Sequence, residues 1–136
     1  MAKKYKKSRV RTLLKEQKTK GEYVTTKEDC DKWFEILNEE LFNSELPKLV
    51  FGFKRLRVCW AYYEYFPRTP EKALTIILCK TYPSKKLFVE CLAHEMVHHW
   101  QYVSLGWRKV DHGNEFKTWS KKAKCIGLRI SEEQSE

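Results

Sequence analysis

The chain has no CxxC pair, no apolar run near the roughly 20 residues that a membrane helix needs, and only four histidines in 136 residues. Each shortage removes a class of protein. Without paired cysteines a cysteine zinc ribbon has no ligands. The five single cysteines, Cys30, Cys59, Cys79, Cys91 and Cys125, read as reduced, mostly buried thiols rather than a disulfide framework. The opening MAKKYKKSRVRTLLKEQKTK carries no apolar stretch behind its charges, so it does not read as a secretory signal. The expectation is a cytoplasmic or DNA-associated protein that neither crosses a membrane nor is secreted.

What is present suits one folded domain: hydrophobic residues make up 42% and aromatics 14% of the chain. The net charge of +9 is unevenly placed, since residues 1–20 hold nine Lys or Arg against one Glu, leaving about +1 for the remainder. Residues 1–24 are therefore read as a flexible basic arm and residues 25–136 as the domain. Such an arm suits a polyanion, and Lys3, Lys4, Lys6, Lys7, Arg9 and Arg11 are its candidate nucleic-acid contacts. Lys54, Arg55, Arg57, Lys117, Lys121, Lys122 and Lys124 would extend that surface.

Thr26 followed by Asp29 resembles a capping box, and Cys30, Trp33, Phe34, Leu37 and Leu41 recur at helical spacing, so a helix is expected over residues 27–42, closed by Asn43. Alternation then takes over: Leu49, Phe51 and Phe53, followed by Val58, Trp60 and Tyr62, predict two strands. The apolar run ALTIILCK predicts a third strand, partly buried on both faces. Pro83 and Ser84 supply a stop and an N-cap, and Gly106 the next terminator, which gives a helix of about 20 residues. At 100° per residue, Val89, Leu92, Ala93, Met96, Trp100 and Val103 form its core stripe, with His94 and His98 on the opposite side. A last helix is expected after Asn114, with Phe116, Trp119 and Ala123 inward and Gly127 at its end.

All four histidines lie between positions 94 and 112. His94-Glu95-Met96-Val97-His98 is an HExxH motif: residues four apart on a helix stack, so two imidazoles can reach one metal ion while Glu95 projects beside it. Zinc with three protein ligands keeps a fourth position for water and lowers its pKa, and a neighbouring carboxylate can take the proton, which suits peptide-bond hydrolysis. His112, in a polar segment between two helices, is the preferred third ligand, with Asp111, Glu115 and Cys91 as alternatives. His99 is read as a polar boundary residue, and Tyr102 as a packed or surface tyrosine within reach of a developing oxyanion.

The stretch CLAHEMVHHWQ and the segment His112-Gly113-Asn114-Glu115-Phe116 resemble the SprT-like metalloprotease family, whose pattern is HExxH followed by a third histidine in HGxxF. The helix DKWFEILNEELF, the turn NSELP and the following strand are similar to that family's opening, so the likeness covers about residues 27–128. The resemblance implies His94, His98 and His112 as ligands of one Zn2+ and Glu95 as catalytic acid/base. It also implies an α+β, zincin-like (minigluzincin-type) domain with a small three-stranded sheet, acting on protein or peptide substrates associated with DNA. The paired cysteines of the zinc ribbon that many members carry do not occur here, and the basic arm would stand in for that module. The expectation is a zinc metalloendopeptidase, monomeric and cleaving unstructured chains. The alternative is a non-catalytic, zinc-stabilised nucleic-acid-binding or assembly protein.

Overall fold

Ser84 accepts a hydrogen bond from the Leu87 backbone N–H at 3.2 Å and Thr26 does the same for Asp29 at 3.2 Å, so both long helices begin where their hydroxyls stand. The first of these caps opens α3 (Lys85–Ser104) and the second opens α2 (Lys27–Phe42). At the far end of α2, Asn43 takes the left-handed conformation at φ 52°, and the Asn38 side chain pairs with both backbone groups of Leu46 to close the turn. The computed structural model describes residues 8–16, 21–65, 74–106 and 110–131. Among them the remaining elements are α1 (Arg9–Glu16), β1 (Tyr23–Val24), β2 (Val50–Lys54), β3 (Ala61–Glu64), β4 (Thr75–Cys79), β5 (Thr81–Tyr82) and α4 (Asn114–Cys125).

The three-stranded sheet has the order β2-β4-β3. Its centre is β4, parallel to β2 and antiparallel to β3. A strand buried on both faces should be nearly all apolar, and Ile76, Ile77, Leu78 and Cys79 are all buried. In β3 the buried residues are Ala61 and Tyr63, whereas Val58 is 88% exposed and Trp60 36% exposed. The alternation through Val58, Trp60 and Tyr62 thus picks the wrong parity, because two of its members precede the strand. A second, two-stranded pairing of β1 with β5 was not expected; it sets Tyr23 opposite Tyr82.

The helix α3 is the centre of the molecule. It touches β3, β4 and β5, α2, and α4, and every residue from Phe88 to His99 is buried. The expected division into a core face and an open ligand face is therefore corrected: α4 and the segment before it cover the histidine side. His99 is corrected likewise. It is fully buried, with Nδ1 2.8 Å from the Tyr63 hydroxyl and Nε2 2.8 Å from the Pro47 carbonyl. The carbonyl can only accept, so Nε2 carries the proton and Nδ1 accepts from Tyr63.

Part of the segment read as a flexible arm is ordered: α1 places Val10, 0% exposed, in the core, with Leu13 and Leu14 packed against it. Glu40 of α2 accepts from the backbone N–H groups of Arg9 (2.7 Å) and Val10 (3.0 Å). A carboxylate at a helix N-terminus satisfies orphan donors and the positive end of the dipole together. Lys3, Lys4, Lys6 and Lys7 lie outside the described residues.

Candidate metal centre

Because His94 and His98 are one helical turn apart on α3, their rings project to the same side, and both are buried. His112 reaches them from the segment before α4. That segment is turned by Asp111, whose carboxylate accepts from the Gly113 backbone N–H at 2.9 Å. The three Nε2 atoms form a near-equilateral triangle: His94 to His112 is 3.1 Å, His94 to His98 is 3.2 Å, and His98 to His112 is 3.2 Å.

Hydrogen bonding within the triangle cannot account for it. Each Nε2 is either a donor or an acceptor, so of three such atoms at least two share a role and face each other repulsively. Three lone pairs directed at one cation remove the conflict. The edges are also close to the roughly 3.3 Å that two nitrogens about 2.0–2.1 Å from a tetrahedral zinc would have. The donor set therefore fits a zinc-like ion, and among the described residues this is the group of three that could hold one.

Burial pushes the imidazolium pKa of His98 down to about 4, against the effect of its hydrogen bond to Gln101 and with a further lowering from His112. It is therefore neutral at physiological pH, the form that ligates metals. Its Nδ1 lies 2.9 Å from the Gln101 Oε1, and an amide oxygen only accepts, so Nδ1–H donates and Nε2 keeps its lone pair. Gln101 was not singled out in the sequence. Its only cue there is its place one turn after His98.

Glu95 is 0% exposed and its Oε2 lies 3.8 Å from the His94 Nε2. Phe116, in the first turn of α4, forms the floor: its ring lies 4.7, 5.5 and 4.8 Å from those of His94, His98 and His112. Of the alternative third ligands, Asp111 spends its carboxylate on Gly113, Glu115 is exposed in the first turn of α4, and the Cys91 thiol is buried with its pKa raised mainly by that burial. Tyr102 packs its ring against Tyr65 and Tyr63 at 5.2 and 6.3 Å.

Of the six arm residues expected to contact nucleic acid, the two within the described part, Arg9 and Arg11, sit on α1. Arg9 is exposed, 4.0 Å from Glu39, and Arg11 donates to the Cys125 carbonyl of α4 at 3.3 Å. Arg11, Lys15, Lys85 and Lys86 line one cavity of about 500 Å³. All five cysteines are free thiols, and no helix among the described residues is long and apolar enough to cross a membrane.

The model of the SprT-like family matches residues 30–135, a span that contains most of α2, the three-stranded sheet, the HExxH helix and the segment bearing His112. The chain belongs to the SprT-like family. No curated protein matches it.

Proposed function

We propose that this SprT-like protein is a zinc-dependent metalloendopeptidase with a zincin-like (minigluzincin-type) fold, in which His94, His98 and His112 hold one Zn2+ and Glu95 is the general base. The observation that carries the reading is the convergence of three imidazole nitrogens within 3.2 Å of one another beside a fully buried carboxylate. Family membership supports the same class, since SprT-like proteins are associated with metalloprotease activity. A structural metal site has no use for a carboxylate beside its ligands, whereas a water-activating one can use it as general base.

Zinc bound there would supply Lewis acidity and bring the pKa of its water towards neutrality. The chain's own residues do the rest. Glu95 takes the proton as water attacks the scissile carbonyl and passes it to the departing amide nitrogen. His98, held by Gln101, and His112, held by its turn, keep fixed directions throughout, which spares reorganisation during the reaction. Phe116 keeps water from the underside.

Substrate binding follows from the sheet. Among the described residues β3 is an edge strand with no strand paired on its outer side, and it leads into Tyr65, whose hydroxyl accepts from the Val110 N–H at 3.4 Å, two residues before His112. An extended, unstructured chain can pair with such an edge through backbone hydrogen bonds, which predicts weak side-chain preference. The cations of Arg11, Lys15, Lys85 and Lys86 around one cavity support contact with nucleic acid, and hence action on DNA-associated proteins, by the chemistry of phosphate neutralisation.

The test is metal content by mass spectrometry on the native protein, Glu95→Gln and His112→Ala, with casein cleavage assayed in parallel with and without single-stranded DNA. One zinc per chain, retained in Glu95→Gln and lost in His112→Ala, with cleavage only by the native protein, is the expected result. Zinc without cleavage in either condition would replace the peptidase by a zinc-stabilised binding protein.

A further inference from the structure

We propose that Gln101 is a positioning residue that presets two of the three histidines with one side chain, and that the metal affinity of the site depends on it. The inference rests on reading His94, His98 and His112 as a metal site. Gln101 is 0% exposed, and a fully buried amide is costly unless its polar atoms are satisfied. Its Oε1 accepts from His98 Nδ1 at 2.9 Å and from the Asp111 N–H at 3.3 Å, while its Nε2 donates to the Asp111 carbonyl at 3.0 Å.

The main-chain contacts fix the amide's orientation. Turned over, it would set its NH2 against the Asp111 N–H and its oxygen against the Asp111 carbonyl, two repulsive contacts in place of two bonds. With the orientation fixed, Oε1 must face His98, so the backbone at position 111 selects the His98 tautomer whose Nε2 lone pair points into the triangle. The same pair of bonds docks residue 111, next to His112, onto α3. His112 is the one ligand outside a helix, so its segment would otherwise have to be ordered when metal binds, at a cost in backbone entropy. Gln101 therefore orders the third ligand in advance and orients the second.

The experiment uses the full chain and three readouts that do not depend on proteolysis: zinc affinity by competition with a chromophoric chelator, the visible spectrum of the cobalt-loaded protein, and amide exchange at Asp111 in the metal-free protein. Gln101→Met keeps the shape and removes all three bonds. It should weaken zinc binding by about 10- to 100-fold, the usual effect of losing a residue that orients a metal ligand, and speed exchange at Asp111. Gln101→Glu keeps an acceptor for His98 and for the Asp111 N–H but sets a carboxylate against the Asp111 carbonyl, so it should fall between native and Met.

Native affinity, spectrum and exchange in Gln101→Met would overturn the proposal while leaving the metal site standing. If Gln101→Met does not fold, Gln101→Glu decides, and native affinity there overturns it equally. A native protein that binds no zinc overturns this inference together with the site. Zinc binding without proteolysis removes only the peptidase reading and leaves the role of Gln101 to the same affinities.

Discussion

Phe116 lies over His98 with 5.5 Å between ring centroids and 24° between planes, so a ring from α4 forms the floor on which the HExxH helix sets its second histidine. Because the same ring meets His94 and His112 edge-on, the α4 side of the site is apolar. Phe116→Ala should cost about 3–5 kcal/mol as a large buried aromatic and loosen all three imidazoles, lowering zinc affinity beyond what unfolding explains. Phe116→Leu should recover most of the stability but less of the affinity. Denaturant unfolding and zinc titration of both variants separate the two effects, and an affinity that tracks stability alone would reduce Phe116 to a core residue.

The metal-free protein should lose stability on the acid side in a defined window. An unfolded imidazole takes up its proton near the ordinary value of 6.5, but folded His98 does so only near 4. Between these values the unfolded state binds more protons, so stability falls as pH drops from about 6.5 towards 4 and flattens below. The buried His99, its pKa also lowered mainly by burial, acts in the same direction. The His98 shift alone should cost on the order of a few kcal/mol. Urea midpoints of the metal-free protein between pH 7 and 4 measure this, and a flat profile would mean that the imidazoles gain compensating partners when protonated.

Much of this arrangement is legible in the sequence because it is local. Thr26 and Ser84 announce the starts of α2 and α3, Asn43 the end of α2, and the run around Ile76–Cys79 the central strand. What escapes is what other elements decide. Nothing in a 100° projection of α3 says that α4 will cover the side opposite Leu92 and Met96, so the ligand face looks open when it is buried. His99 looks like a boundary residue because its partners, the Tyr63 hydroxyl that donates to it and the Pro47 carbonyl that accepts from it, lie 36 and 52 residues away. Gln101 is silent for the same reason: two of its three bonds are to the backbone of residue 111. In α1, Val10, Leu13 and Leu14 follow helical spacing, but nine basic residues in the first twenty obscure three apolar ones.

That short helix gives a prediction of its own. Glu40 holds the first N–H groups of α1, and a helix of eight residues is too short to persist without tertiary support. Glu40→Ala should cost about 1 kcal/mol, the usual worth of a lost cap, and should raise amide exchange at Arg9 and Val10 well above that of α2. Val10→Asp, which buries an unpaired charge, should detach α1 more completely. Exchange at Val10 that is unchanged in Glu40→Ala would mean that burial of Val10 and Leu14 holds α1 unaided.

The anchoring of α1 also changes how nucleic-acid binding must be tested. Deleting residues 1–20 would remove Val10 from the core, so weaker binding after the deletion would not distinguish lost charge from damaged folding. Lys15 and Lys86 are exposed and line the same basic cavity, so Lys15→Gln with Lys86→Gln removes charge and spares the core. If phosphates lie there, the double variant should bind single-stranded DNA more weakly, and the slope of log affinity against log salt should shrink by roughly 0.7 per lost contact, about 1.4 in all. Unchanged affinity and slope would mark the pair as solvated charge and move the search to Lys117, Lys121 and Lys124 on the exposed side of α4.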